Sequence, residues 1–287
     1  MGVGQLGLGE DGGSLRCEAR DLGDLEHLDR LRHEIRILIH PTSVAGNPLR
    51  YDAPMPTLRA LTVPSWADVS GLVHGFEQRA AGSEGETREA ARRRVTDALS
   101  PQRVLFLRQV HGTRVCAAPW EGSPEGDAAL AREPGLVVAV ETADCLPVLI
   151  VDRRRRAVAI AHAGWRGTAA GVAGAAVASL LESGSRASDL EAALGPSIGP
   201  CCYEVGQEVR EAFGGEGESF FRPGPRGRLH LDLRAANSRQ LREAGVPQAA
   251  IHLLDECTFC RPELYHSYRR DGRSGGRMIS FVGFLTE

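Results

Sequence analysis

The chain has 287 residues, 42% hydrophobic and 25% charged, with a formal net charge of −3. This composition suits a globular protein with a sizeable core, and so small a charge argues against broad attraction to nucleic acid or membrane surfaces. No apolar run approaches the ~20 residues of a membrane helix. The start, MGVGQLGLGEDGG, lacks the basic and apolar regions of a signal peptide, so a cytoplasmic location is expected. Seven cysteines (Cys17, Cys116, Cys145, Cys201, Cys202, Cys257 and Cys260) make an odd set with one adjacent pair. Without a secretion signal, reduced thiols are expected rather than a disulfide framework.

Residues 1–57 carry scattered charges, a Gly-rich start and one short apolar run, Ile35 to Ile39, that could form a strand. They are expected to be a weakly structured extension, with Met55 as an alternative start of translation. From Leu58 to Glu287 the pattern tightens into one expected catalytic domain. "SEGETREAARRRV" reads as helical. "VLFLRQVHGTRVCAA" (104–118) is β-rich and breaks at His111-Gly112, and "LVVAV" (136–140) suits a buried strand. "CLPVLIV" (145–151) and "AVAIAHA" (157–163) flank Asp152 and four arginines, which predicts a hairpin with a solvated, charged turn. A helix is predicted over 168–183 with Thr168 as N-cap, and a second over 201–213. A third spans 232–245, with Asp232 as N-cap and Gly245 as stop. "AAIHLL" (249–254) and "MISFVGF" (278–284) read as strands, and the Pro/Gly-rich 219–230 as loop. Strands and helices alternate, so the fold class expected is α/β, in the mixed α+β sense.

Three candidate residues stand at the ends of strand-like runs beside small or turn-forming residues: His111, Cys145 and His162. In a hairpin, Cys145 opens one strand and His162 closes its antiparallel partner, so both lie at one end of the sheet. His111 ends a third strand and could join them there. Two imidazoles and a thiolate suit Zn²⁺ and leave a fourth position open, as in catalytic zinc sites. The alternative is packing alone, since cysteine is among the most buried residue types. Gly164-Trp165-Arg166-Gly167 leads into a helix, where free N–H groups and the Arg166 fork suit an anion; equally, it is a tight turn with Trp165 plugging the core. Cys201 and Cys202 sit at an expected helix start, where a thiol is acidified, or are buried structural residues. "CTFC" (257–260) resembles half a zinc ribbon, but no second C-x-x-C exists, so a four-cysteine metal site is not expected. Arg269, Arg270 and Arg277 could meet an anionic substrate or face water.

Several motifs occur in a telling order: Gln109-Val-His-Gly, Thr142-Ala-Asp-Cys-Leu-Pro, Ala161-His-Ala-Gly-Trp-Arg-Gly, Gly195-Pro-Ser-Ile-Gly-Pro, Asp232-Leu with Asn237, Cys257-Thr, and Ser267-Tyr-Arg-Arg-Asp-Gly with Gly276-Arg. Together they resemble the YfiH/DUF152 family, also labelled the laccase-domain or multicopper polyphenol oxidase family, from about Val73 to Phe284. The resemblance implies an α-β-β-α layered sandwich of mixed sheets, related to a toxin deamidase with a Cys–His site. It implies phosphorolysis of adenosine, inosine, guanosine and methylthioadenosine, with adenosine deamination. Zinc ligands would be His111, Cys145 and His162, and the partners purine nucleosides and phosphate.

Catalytic roles are expected for Cys145, Asp144 and Arg166. Asp144 would manage a proton or orient a ligand. In deamination the ion would activate water for attack at purine C6. Substrate and phosphate contacts are expected at Arg79, Gln109, Arg166, Gly167 and Arg269. Arg79, in Gly75-Phe-Glu-Gln-Arg79, stands where the family carries a longer Arg motif that is otherwise missing here. The family is also labelled a copper oxidase and a hydrolase that edits peptidoglycan precursors. Copper is therefore possible, although no methionine lies in the three ligand motifs to supply a weak axial bond. A Cys–His hydrolase with Cys145 as nucleophile and His162 as base is the main rival; a nucleotide-binding protein without turnover is another.

Overall fold

The computed structural model describes residues 34–35, 58–79 and 86–286. The strands, in chain order, are β1 (Glu34–Ile35), β2 (Leu58–Leu61), β3 (Leu72–Glu77), β4 (Arg103–Phe106), β5 (Val115–Ala117), β6 (Ala128–Ala131), β7 (Leu136–Thr142), β8 (Leu146–Asp152), β9 (Ala157–Ala163), β10 (Leu190–Leu194), β11 (Glu204–Val205), β12 (Phe221–Pro223), β13 (Leu229–Leu231), β14 (Ile251–Leu253) and β15 (Met278–Phe284). The helices are α1 (Arg88–Ala98), α2 (Trp165–Ala169), α3 (Val172–Glu182), α4 (Gln207–Phe213), α5 (Leu233–Glu243) and α6 (Tyr268–Asp271). Of the strand expected over Ile35–Ile39, Ile35 falls in β1; the rest, with Met55 and Cys17, lies outside the described residues.

Two six-stranded mixed sheets, β1-β2-β3-β15-β7-β4 and β14-β10-β8-β9-β6-β5, stack face to face, and β11-β13-β12 form a small third sheet. Alternating side chains on each strand point to opposite faces, and three cores follow. Val138 and Val140 of β7 meet Leu149 and Val151 of β8 and Ile160 of β9 between the sheets. Val137 and Ala139 face outward, under Ala91, Val95 and Ala98 of α1. Val148 and Ile150 face the opposite way, under Ala173, Val177 and Leu180 of α3 and Leu241 of α5. The layers are thus helix, sheet, sheet, helix. Strands β7, β8, β9 and β15 are buried at every position. That two-sided burial explains why they read as unbroken apolar runs rather than alternating ones.

Local signals held where the interaction is local. Asp232 caps α5 by accepting the Ala235 N–H at 3.0 Å, and Gly245 beyond it has φ +94°, the left-handed conformation that glycine tolerates. The β8–β9 hairpin forms in the register Leu146↔Ala163 and Pro147↔His162.

Elsewhere tertiary structure overrode pattern. The helix expected over 168–183 is split at Gly171, whose φ is +91°. Thr168 is not its cap; it is buried within α2, and its hydroxyl accepts from Asn237 Nδ2 at 2.9 Å. Only Gln207–Phe213 of the expected 201–213 helix is helical, because Glu204–Val205 pairs with β13 instead. The 219–230 segment, expected as loop, supplies β12 and the start of β13. The arginine turn is only partly solvated. Arg153 donates to Ser65 O at 2.9 Å and pairs with Glu191, while Arg156 lies over the Phe284 ring at 4.7 Å. These two side chains pin the hairpin to the opposite sheet, and Arg154 and Arg155 stay exposed. Among the described residues no helix is long and apolar enough to cross a membrane.

Candidate active site and metal centre

The site forms where three chain segments end together. β8 starts and β9 finishes at one end of their hairpin, which places Cys145 beside His162. His111 arrives differently from expectation. It does not end a strand; it lies in the crossover that carries the chain from β4 in one sheet to β5 in the other. Its φ of +63° is unusual for a residue with a Cβ. Asp144 shares that feature, at +91°, so two adjacent pieces of the site hold strained backbone, as functional sites often do.

Asp127 holds the His111 strain in place. This fully buried carboxylate accepts backbone N–H groups from Val110 (3.0 Å), His111 (2.9 Å) and Gly112 (2.7 Å). It also meets His162 Nδ1 at 2.8 Å. Burial alone would raise its pKa, but these hydrogen bonds, His162's first, leave it below the usual carboxylate value. One ionised residue therefore shapes the His111 loop and fixes the His162 ring, with Nε2 left to face the site.

The donor atoms of His111, Cys145 and His162 lie within 4.8 Å of one another. The two rings are 4.9 Å apart and inclined at 71°. His162 is buried, Cys145 half-buried and His111 exposed, so the group opens on one side. Gly164 makes the approach possible: a Cβ there would stand 2.9 Å from His111 Cδ2 and 3.0 Å from Cys145 Sγ. Burial pushes the Cys145 thiol up, yet the His162 charge and hydrogen bonds from both histidines bring it down to about 6. Burial pushes His162 down, but the Cys145 thiolate and Asp127 hold it at about 9. Near neutral pH this is a thiolate–imidazolium pair, in which a bound cation would take the place of the imidazolium proton. Two nitrogens, a ready thiolate, a carboxylate-anchored histidine and one open side form a donor set that fits a zinc-class ion.

The other expected site residues fall into two groups. Arg166 and Arg269 come near the trio: both exert their charge on the Tyr203 hydroxyl, as do Cys145 and Asp144, although burial is what chiefly raises that hydroxyl's pKa. Arg166 is exposed and stacks at 4.3 Å on Trp165, which packs against the outer core. Arg269 reaches over the Tyr203 ring and donates to Glu204 O at 2.8 Å.

The remaining residues make contacts within the fold. Gln109, expected on substrate, exchanges two 2.8 Å hydrogen bonds with the Glu141 backbone and so clips the His111 loop to β7. Gly167 faces the Gly112 carbonyl, where a Cβ would come within 3.0 Å. It lets α2, which starts at Trp165, pack on the same loop. Asp144, expected to move a proton or to orient a ligand, has both oxygens occupied. Thr258 Oγ1 (2.7 Å) binds one, and Ser267 Oγ (3.0 Å) and the Arg269 N–H (2.6 Å) bind the other. Arg79 donates to Pro262 O at 3.0 Å and influences His266 and Asp271. Arg270, in α6, donates to Thr258 O and Tyr265 O, and Arg277 to Gly275 O and Gly276 O of its own loop.

Sequence reasoning missed Asp127 and Tyr203. A lone carboxylate heading the small apolar run Ala128–Ala131 was the available sign of Asp127, since buried charges are kept only with partners. It also misjudged four cysteines. Cys201, Cys202, Cys257 and Cys260, expected not to form a common site, bring their sulfurs within 4.8 Å of one another.

A family model described as multi-copper polyphenol oxidoreductase laccase matches residues 78–285. An adenosine deaminase RL5 from an unknown prokaryotic organism is 40% identical over 194 residues, 62% of this chain and 74% of the relative. The purine nucleoside phosphorylase YfiH of Escherichia coli is 40% identical over 191 residues, 64% of this chain and 75% of the relative. The crystal structure of YlmD from Geobacillus stearothermophilus superposes with a TM-score of 0.71 at 30% identity, covering 80% of this chain and 96% of that one. That of Bacillus licheniformis YfiH gives 0.69 at 30% identity, covering 84% and 100%. With the model spanning most of its length, the chain belongs to the laccase-like family of YfiH and YlmD that its motifs resembled.

Proposed function

We propose that this chain is a metal-dependent purine nucleoside enzyme, cleaving adenosine, inosine, guanosine and methylthioadenosine with phosphate and deaminating adenosine. His111, Cys145 and His162 hold its zinc. The observation that carries this reading is the convergence of those three donors, from three segments, in a chain about 40% identical to relatives named for both activities. When bound, the ion supplies Lewis acidity at the open side of the trio. Asp127 orients His162 and shapes the loop of His111. Arg166 and Arg269 present fixed positive charge on the side of Tyr203, suited to phosphate. Asp144 positions the Cys145 turn by tying it to Thr258, Ser267 and Arg269.

The test is chromatography of adenosine incubated with the purified full-length protein, with and without phosphate. Adenine formed only with phosphate reports phosphorolysis, and inosine reports deamination. His111→Ala is expected to lose both activities and the zinc held by the trio. A wild-type protein with zinc at the trio that turns over no nucleoside overturns the proposal.

The Cys145 thiolate beside a protonated His162 favours a second reading, a Cys–His hydrolase of acyl compounds such as a cell-wall precursor. Metal-free protein that stays active until Cys145 is alkylated would establish it. Electron-transfer copper is disfavoured by the donors. Met278, the methionine among the described residues, has its sulfur engaged by the His266 N–H at 3.0 Å.

A further inference from the structure

β10 and β14 are parallel neighbours, paired as Ala192↔Ile251, so the loops that follow them leave the sheet side by side. Backbone bonds knit these loops together: Ser197 N–H to Glu256 O at 3.2 Å and Thr258 N–H to Ser197 O at 3.1 Å. The buried Arg234 adds donors to both Ser197 O and Glu256 O. One loop carries Cys201 and Cys202, the other Cys257 and Cys260. Two cysteine pairs far apart in sequence therefore face each other.

None of the four is disulfide-bonded. Cys202 and Cys260 sulfurs are 3.3 Å apart, Cys201 and Cys260 sulfurs 3.7 Å, and all four fall within 4.8 Å. A disulfide needs ~2.05 Å. Four thiolates on a tetrahedral ion at ~2.3 Å stand about 3.8 Å from one another, a separation that falls between the 3.3 Å pair and the 4.8 Å limit of the cluster. The Gly199 N–H points at Cys257 Sγ from 3.2 Å, a bond that favours a thiolate over a thiol. Gly199 also leaves room, since a Cβ there would meet Cys201 Sγ at 3.2 Å. Cys201 is exposed and the other three half-buried, so an ion can reach the cluster from solvent.

We propose that Cys201, Cys202, Cys257 and Cys260 form a second metal site, a closed four-thiolate centre for zinc that is separate from the His111 trio. Four protein ligands leave no open position, so the site is structural rather than catalytic. Its place explains its use. Ile198 N–H, three residues before Cys201, binds Asp144 O at 3.0 Å, and Thr258, next to Cys257, binds the Asp144 carboxylate at 2.7 Å. Tyr203 follows Cys202 directly. The ion cross-links the two loops that hold Asp144, and with it the turn of Cys145.

The test is metal analysis of the full-length protein purified under reducing conditions, using zinc and then cobalt(II) as probes. The variant His111→Ala/Cys145→Ala/His162→Ala lacks the first site and leaves the cysteine loops intact. It is expected to keep about one equivalent of zinc and, loaded with cobalt, to show sulfur-to-metal charge transfer with intense visible bands. Cys257→Ser/Cys260→Ser is expected to lose that equivalent while the trio keeps its own. Should the serine variant not fold, cadmium-113 NMR of the wild type reads the four-sulfur environment directly. A trio variant that binds no metal and gives no thiolate–cobalt absorption overturns the proposal. So does peptide mapping that finds a Cys202–Cys260 disulfide in freshly purified protein.

Discussion

Asparagine in place of Asp127 is the sharpest perturbation of the site, because it changes charge and hydrogen bonding with almost no change in volume. In the wild type, Oδ1 accepts from the His111 N–H and lies against His162 Nδ1, while Oδ2 accepts from the Val110 and Gly112 N–H groups. Three backbone donors and the His162 ring surround two oxygens. An amide NH₂ turned toward Oδ2's place leaves two backbone donors unpaired; turned toward Oδ1's place it can donate to a neutral His162 Nδ1 and still leaves the His111 N–H unpaired in a buried place. One such donor costs ~1–3 kcal/mol, so the variant is expected to lose about 2 kcal/mol of stability. Loss of the carboxylate behind His162 is also expected to weaken zinc binding by ~10–100-fold. Equilibrium urea unfolding of metal-stripped protein measures the first effect, with the slope checked for unchanged two-state behaviour. Chelator competition measures the second. A variant within ~1 kcal/mol of wild type and with unaltered zinc affinity would refute the role given to Asp127.

Two further predictions concern the scaffold. Burial lowers His74 from 6.5 to about 4, and its Nε2 accepts the Val63 N–H at 2.9 Å, which only the neutral ring allows. As pH falls from 6.5 toward 4, the unfolded chain takes up this proton first. The stability contributed by neutral His74 is therefore complete above that window and lost within it, by about 3 kcal/mol. Glu77 acts oppositely: burial, against the pull of Arg94, raises it to about 7. The comparison is thus between wild type and His74→Gln, and an acid slope equal in both would contradict the assignment. Gly195→Ala would place a Cβ 2.2 Å from Phe76 Cδ1 and 2.9 Å from Pro147 Cγ. Such overpacking costs ~1–3 kcal/mol, visible as a lowered thermal midpoint; an unchanged midpoint would show that the core relaxes freely.

The elements legible in advance were those whose cause is local. Apolar runs marked β7, β8, β9 and β15, a short charged segment between two such runs marked the hairpin, and Asp232 with Gly245 marked the ends of α5. The trio was legible for a mixed reason. A hairpin returns its last residue beside its first, so Cys145 and His162 followed from local pairing. His111 was expected to join them as the end of a third strand, and the route by which it gets there, a crossover between sheets, was not foreseen. At Gln109 the structure adds what the motif did not reveal: its side chain binds the β7 backbone through Glu141.

By itself, the sequence determined the two-sided burial of the central strands, the caps of α5, and the presence of a thiol and an imidazole at one end of a hairpin. Only the tertiary structure decided that Asp127 stands behind both histidines, that α2 and α3 part at Gly171, and that two cysteine pairs separated by half a hundred residues share one space. The physical reason for the first and the last is pairing between strands distant in sequence: β6 lies beside β9, which brings Asp127 to His162, and β10 lies beside β14, which brings the cysteine loops together. Periodicity along a single segment carries no information about its neighbours in space.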